Sequence, residues 1–97
     1  MPTFELTVLG RGILLPVAAD ENALGFFQLV RVTARDQRTA ESKALELVRS
    51  EWDASPNSRL NRGAAPQLRI DGVATLPWWH RFLPARRGYV FYSKEDE

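Results

Sequence analysis

Residues 24–33 read Leu-Gly-Phe-Phe-Gln-Leu-Val-Arg-Val-Thr, and this stretch decides the fold. Aromatic and β-branched side chains dominate it, and such side chains suit the pleated surface of a β-strand. Upstream, Phe4, Leu6 and Val8 recur at every second position, which is the period of a strand with one buried face. The chain is therefore predicted to begin with two antiparallel strands, the second of which is central in the sheet.

The end of the first strand is marked by Gly10-Arg11-Gly12, which predicts a turn or a bulge. Residues 13–17 are largely apolar, but Pro16 has no backbone N–H to donate to a neighbouring strand. They are predicted to form an edge continuation of the strand or a loop packed on the core.

A helix is predicted to follow the second strand. The carboxylate of Asp36 can accept a hydrogen bond from a backbone N–H two or three residues later, so the helix should begin at Gln37 and run to about Trp52. At about 100° per residue, its apolar side chains fall within an arc of about 160° and form one face that packs on the sheet. The members of this face are Ala40, Ala44, Leu45, Leu47, Val48 and Trp52.

The second half of the chain is predicted to contain a loop and two more strands. Residues 54–66 are rich in proline, asparagine and serine, which are typical of a loop. A third strand follows over residues 68–73, where Asp71-Gly72 is either a tight hairpin turn or a bulge. Residues 89–93, Tyr-Val-Phe-Tyr-Ser, form a short final strand.

These elements predict a single α+β domain over residues 1–97, in the order ββαββ. It is an antiparallel four-stranded sheet with one helix on one face, and its layering is related to that of ferredoxin-like folds. Because one helix covers only one face, the other face is exposed to solvent, closed by the tryptophan-rich loop, or buried against a second copy.

Composition excludes several kinds of chemistry. The 97 residues include no cysteine and one histidine, His80, so disulfides, thiolate nucleophiles, sulfur-ligated zinc and multi-histidine metal sites are excluded. No motif brings a nucleophile and an orienting carboxylate to His80, so we expect no enzyme activity, no cofactor and no metal.

The apolar stretch at 13–19 is far shorter than the roughly 20 residues that span a bilayer, and the N-terminus lacks the basic region of a signal peptide. A cytoplasmic location is therefore expected.

Charge is distributed unevenly although the formal net charge is only +1. Residues 54–94 contain six arginines and one lysine against one aspartate, whereas residues 1–53 contain six basic and eight acidic residues. Residues 95–97 are all acidic. This asymmetry indicates either an anionic partner or a solvated basic face that the acidic tail meets.

The aromatic residues of the sheet and of the segment Trp78-Trp79-His80-Arg81-Phe82 are the candidate site. The first hypothesis is a protein interaction module, a homodimer, whose partner surface is formed by the uncovered sheet face or the aromatic loop. Its candidate residues are Phe26, Phe27, Trp78, Trp79 and Phe82.

The alternative hypothesis is the binding of nucleic acid or a phosphorylated ligand, since arginines interleaved with rings can hold phosphates while bases stack. Its candidate residues are Arg81, Arg86, Arg87 and Tyr89. Residues 87–91, Arg-Gly-Tyr-Val-Phe, resemble the RNP1 strand of RNA-recognition motifs, although Val90 stands where that motif has glycine or alanine.

A second resemblance covers part of the first half of the chain. Gly25-Phe26-Phe27, Val32-Thr33-Ala34 and the polar helix start at Asp36 precede a helix with the pattern A-x-x-x-A-L-x-L-V. In these features and in its short aromatic strand near the C-terminus, the chain resembles a small family of uncharacterised bacterial proteins. The resemblance implies an α+β fold and a bacterial origin, and it implies no activity.

Overall fold

The computed structural model describes residues 1–18, 21–77 and 89–92. Its elements are β1 (Thr3–Ala18), β2 (Glu21–Thr33), α1 (Gln37–Ala54), α2 (Pro56–Leu60), β3 (Gln67–Leu76) and β4 (Tyr89–Tyr92). The strands form one sheet in the order β3-β1-β2-β4, and every neighbouring pair is antiparallel. A four-stranded antiparallel sheet with one main helix confirms the predicted α+β class. The short helix α2 lies within the segment that was predicted to be a loop, and Pro56 occupies its first turn, where a missing N–H costs no hydrogen bond.

Strand β1 is longer than predicted, because Gly10-Arg11-Gly12 does not end it. The pairing with β2 shifts register between Arg11 and Leu15, and Gly12 has a φ of 88°, a conformation that glycine adopts without strain. The interpretation as a bulge is therefore confirmed, and the prediction that the strand ends there is wrong. A bulge adds a residue to one strand while the ladder resumes beyond it.

The backbone groups that the bulge leaves unpaired are bound by the chain just after α2. The N–H of Leu14 donates to Oδ1 of Asn61 at 2.8 Å, and the carbonyl of Leu14 accepts from the N–H of Arg62 at 2.8 Å. These bonds join α2 to β1, so the distal part of β1 is held as part of the domain.

Strand β3 also contains a bulge. Its pairing with β1 passes from Thr7↔Gly72 to Val8↔Ile70, which leaves Asp71 as the extra residue. Asp71-Gly72 therefore lies inside one continuous strand, and the alternative of a tight hairpin turn is wrong. Two-versus-one pairing of this kind bends and twists a strand without ending it.

Helix α1 confirms the predicted cap and the predicted face. Oδ1 of Asp36 accepts a hydrogen bond from the N–H of Thr39 at 2.8 Å, which satisfies one of the free donors of the first turn. Four members of the predicted face are buried, namely Ala40, Ala44, Val48 and Trp52. Leu45 and Leu47 are half-buried at its flanks. Among the described residues, no helix combines the length and the apolar composition needed to cross a membrane.

The core lies between α1 and one face of the sheet. Its strand members alternate with the pleat, since Leu6 pairs with Val30 and Gly10 pairs with Phe26 on the same face. Most of the buried apolar side chains belong to this core, and they are Phe4, Leu6, Val8, Ile13, Leu15, Ala23, Phe26, Val30, Ala34, Ala40, Ala44, Val48 and Trp52. Every second residue of β1 and β2 therefore faces the other side of the sheet.

Candidate functional site

The two adjacent phenylalanines of β2 lie on opposite faces of the sheet. Phe26 is fully buried in the core under α1, whereas Phe27 is half-buried on the opposite face. The structure therefore corrects the assignment of Phe26 to an accessible partner surface. Successive side chains of a strand point to opposite faces, so two neighbouring residues cannot serve the same surface.

Phe26 is the centre of a cluster of four aromatic rings on the face that α1 covers. Its ring stacks on Trp52 with centroids 5.2 Å apart and planes inclined by 10°, and it meets Tyr89 edge-on at 4.9 Å. Phe91 completes the cluster, at 6.2 Å from Phe26 and 5.6 Å from Tyr89. A methyl group added at Gly10 would overlap the ring of Phe26, so the cluster also needs a glycine on β1.

Two polar side chains are embedded beside these rings. Gln28 is buried, and its Nε2 donates to Oε1 of Glu51 on α1 at 2.8 Å. The hydroxyl oxygen of Tyr89 is buried and has no hydrogen-bond partner within the described part of the chain. Burial and, to a lesser extent, the charge of Glu51 raise the pKa of Tyr89.

Tyr89 was predicted to contribute to an anion-binding surface, and its position argues against that role. Its ring and that of Phe91 pack under α1, because Tyr89 pairs with Gln28 and Phe91 pairs with Phe26 on the covered face. In an RNP1 strand the aromatic rings must be displayed so that bases can stack on them. The described part of β4 displays Val90 and Tyr92 on the other face instead.

The face opposite α1 carries an apolar patch, which we define as Leu9, Phe27, Leu29, Val90 and Tyr92. The register places Leu9, Phe27 and Val90 in one row across three strands, with Leu29 and Tyr92 in the neighbouring rows. Leu29 is 44% exposed and Val90 is 67% exposed, whereas Leu9 is only 6% exposed, so the accessible part of the patch is Leu29, Val90 and the half-buried rings of Phe27 and Tyr92. The rings of Phe27 and Tyr92 are in contact, with centroids 5.6 Å apart.

Charged and hydroxyl side chains flank the apolar patch along β1 and β2. On one side Arg31 and Glu5 form an ion pair at 3.8 Å, and beyond them the hydroxyls of Thr3 and Thr33 lie 3.2 Å apart. On the other side Arg11, which is exposed, pairs with Gly25 in the sheet. The face thus has an apolar centre between charges of both signs, an arrangement that is typical of interaction surfaces.

The edge formed by β3 is less suited to association than the face. Its bulge at Asp71 interrupts a regular ladder, and Arg69 forms an exposed ion pair with Asp71 at 3.7 Å. Bulges and charged side chains are features by which proteins prevent strands from pairing edge to edge.

Among the described residues, no group of three or more acidic or histidine side chains has the geometry of a metal site.

The remaining predicted site residues lie outside the described residues. They are Trp78, Trp79, Arg81, Phe82, Arg86 and Arg87, together with His80. Both the aromatic loop and the arginine cluster therefore stay predictions.

The residues that the sequence interpretation missed are Leu9, Leu29, Val90 and Tyr92. For Leu29 the sequence does contain an indication. Within residues 24–33, Phe27 and Leu29 occupy odd-numbered positions, whereas Phe26, Gln28 and Val30 occupy even-numbered ones, so the two sets lie on opposite faces of a strand. For Val90 and Tyr92 the face depends on how β4 pairs with β2, which the sequence alone does not specify.

Comparison with protein-family models, with curated proteins and with solved structures finds no match to this chain. The resemblance to uncharacterised bacterial proteins stays a prediction. The function must consequently be argued from the described surface itself.

Proposed function

We propose that this chain is a small, non-enzymatic interaction module of the bacterial cytoplasm that forms a homodimer through its apolar patch. The observation that carries the proposal is the exposure of Leu29 and Val90 beside Phe27, on a face where no described helix lies. Contiguous apolar surface of this kind is typical of binding sites. Within the proposal the chain keeps the ββαββ arrangement and the ferredoxin-like layering predicted for it, with the helix on one side and the second copy on the other.

The size of the face supports a second copy of the chain as its occupant. Nine residues of β1, from Thr3 to Arg11, extend over about 30 Å, three strands are about 14 Å wide, and the four residues of β4 add a short fourth row, which gives a face of about 500 Å² per partner. Both partners together would bury about 1,000 Å², which is at the lower limit for a specific interface. We therefore expect a dimer that is reversible and depends on concentration.

The test is the oligomeric state of the purified chain, measured by sedimentation equilibrium from low micromolar to near-millimolar concentration. The wild type should associate, and Leu29→Lys should weaken the dimer by about tenfold or more, because the interface would have to desolvate a charge. The matched control is Leu60→Lys, since Leu60 is 59% exposed on α2 and does not belong to the apolar patch. A wild type that stays monomeric at the highest concentration would overturn the proposal.

The second candidate function is the binding of nucleic acid or a phosphorylated ligand, and the excess of arginine over residues 54–94 favours it. In the described part of this segment Arg59, Arg62 and Arg69 are exposed. Binding through such contacts should weaken steeply as salt rises. A titration with single-stranded RNA at low salt, followed by tryptophan fluorescence, decides between the two, and an unchanged signal at every concentration counts against this candidate.

A further inference from the structure

Three polar side chains from three elements meet beside the aromatic cluster under α1. Gln28 of β2 and Tyr89 of β4 are register partners on the covered face, and Nε2 of Gln28 donates to Glu51 of α1 at 2.8 Å. Gln28 is only 3% exposed, and its Oε1 and the hydroxyl oxygen of Tyr89 are both buried without a hydrogen-bond partner within the described part of the chain. Buried polar atoms are nearly always bonded to protein or to ordered water, so two such atoms on neighbouring side chains indicate a common partner.

We infer that Gln28 and Tyr89 bind one internal water molecule, which accepts a hydrogen bond from the Tyr89 hydroxyl and donates one to Oε1 of Gln28. Oε1 is only an acceptor and Nε2 already donates to Glu51, whereas a phenolic hydroxyl can donate. No direct bond joins the two atoms, so a molecule that both accepts and donates satisfies them together. All of these groups belong to one chain, so the inference is independent of the proposed homodimer.

The surroundings of the two atoms favour water over a larger ligand. Directly opposed residues of an antiparallel pair have Cβ atoms about 4.5–5.5 Å apart, which leaves little more than the width of one water molecule between two long side chains. The ring of Tyr89 is also held against Phe26 at 4.9 Å and Trp52 at 5.9 Å. The carboxylate of Glu51 lies close to the same place, since its charge contributes to the raised pKa of Tyr89. Internal water molecules typically make about three hydrogen bonds, and these three side chains supply that number.

The water molecule helps to specify how the short strand β4 pairs with β2. The bridge forms when Tyr89 lies opposite Gln28, and a shift of one residue would turn the side chain of Tyr89 to the other face. A shift of two residues would place Phe91 opposite Gln28, and Phe91 has no hydroxyl. The bridge therefore favours the register that displays Val90 and Tyr92 on the face opposite α1, as single buried polar groups specify register in coiled coils.

The bridge predicts the sign of the effect of Tyr89→Phe on stability. Removal of a hydroxyl that is hydrogen-bonded to a bound water costs stability, whereas removal of a buried hydroxyl without a partner stabilises the fold. We expect Tyr89→Phe to raise the equilibrium constant of unfolding about three- to tenfold at neutral pH, in urea unfolding at a concentration where the chain is monomeric. An unchanged or smaller constant would overturn the inference.

A double-mutant cycle tests whether Gln28 takes part. Gln28→Met removes the acceptor and keeps an unbranched side chain, and it should cost at least about threefold less in Tyr89→Phe, where the bridge is already lost, than in the wild type. The matched control is Tyr92→Phe, because Tyr92 belongs to the same strand but packs on Phe27 on the opposite face. Its effect should combine with that of Gln28→Met to within about twofold of additivity. Coupling to Tyr89 that is no larger than coupling to Tyr92 would overturn the inference.

Crystallography of the unaltered chain provides a test that needs no substitution, so it applies even if Gln28→Met does not fold. A structure at a resolution that shows ordered water should contain one water molecule within hydrogen-bond distance of both Oε1 of Gln28 and the hydroxyl oxygen of Tyr89. The structure of Tyr89→Phe should lack it. A wild-type structure without water between these two atoms would overturn the inference, whatever the oligomeric state of the chain.

Discussion

Replacement of the two neighbouring phenylalanines by alanine should have effects of different kinds. Phe26 is fully buried and contacts the rings of Trp52, Tyr89 and Phe91. Truncation of a buried phenylalanine to alanine costs about 3–5 kcal/mol, a range that includes its lost ring contacts, so we expect Phe26→Ala to lower the free energy of unfolding by about 4 kcal/mol. Phe27 is half-buried and has one described ring contact, so Phe27→Ala should cost only about 1 kcal/mol.

The assay is urea unfolding followed by far-ultraviolet circular dichroism, at a concentration where the wild type is monomeric, so that dimer dissociation does not add to the measured stability. Since domains of this size are stable by only about 5–15 kcal/mol, Phe26→Leu serves as a milder variant if Phe26→Ala does not fold. At high concentration the order should reverse, with Phe27→Ala weakening self-association more than Phe26→Leu. Equal losses of stability for Phe26→Ala and Phe27→Ala would refute the assignment of the two rings to opposite faces.

Three further predictions concern groups outside the apolar patch. Asn61→Ala should lower stability by about 1–2 kcal/mol in urea unfolding, because the N–H groups of Leu14 and Gly63 lose their acceptor, and Asn61→Asp should recover only part of the loss because it cannot donate to the carbonyl of Ala64. The hydrogen bond from Thr39 N–H lowers the pKa of Asp36. The ionised Asp36 therefore stabilises the fold above the ordinary aspartate pKa, and this stabilisation is lost as pH falls through the lowered pKa. Asp36→Asn should abolish this loss of stability in acid. Because burial raises the pKa of Tyr89, stability should fall as pH rises above about 10, where the unfolded chain ionises first, and Tyr89→Phe should remove this loss in thermal scans.

The elements that could be predicted are those whose signals are local. The alternation of Phe4, Leu6 and Val8 and the cap at Asp36 depend on neighbours within a few residues, and both predictions match the structure. Gly10-Arg11-Gly12 is different, because the same residues suit a turn or a bulge. The pairing of both flanks of the bulge with β2 decides between the two, and that pairing is a long-range property. Helix α2 was missed because five residues give too little periodicity to detect, and helices so short depend on their tertiary contacts.

The candidate site was harder to predict than the fold because its members come from strands that are distant in the chain. The sequence alone could have assigned Phe27 and Leu29 to the face opposite Phe26, because they occupy odd-numbered positions of the strand and Phe26 an even-numbered one. Val90 and Tyr92 join them only because β4 pairs with β2 in the register Phe27↔Val90. A shift of that register by one residue would exchange the two faces and would place Tyr89 on the outside.

On each face of β2 an aromatic ring packs over a cross-strand glycine, but only one of these two contacts is enclosed by the helix. On the covered face the ring of Phe26 lies over Gly10, and on the other face the ring of Tyr92 lies over Gly25, where an added methyl group would overlap it. An aromatic ring over a cross-strand glycine compensates for the side chain that glycine lacks. Under α1 this contact is enclosed by Trp52, whereas on the other face it holds Tyr92 against Phe27 at the border of the exposed Leu29 and Val90.

The packing of Tyr92 on Gly25 bears directly on how so small a surface can associate. Side chains that are already held in one conformation in the monomer lose little further entropy in the complex, and that loss is about 0.5–1.5 kcal/mol for each flexible side chain immobilised. Gly25→Ala should displace Tyr92, so that Phe27 loses its neighbouring ring. The proposed dimer should then weaken even though none of the side chains of the apolar patch has been changed. In the proposed dimer, a face of about 500 Å² per partner should lose little further entropy on association, because folding has already ordered its aromatic centre.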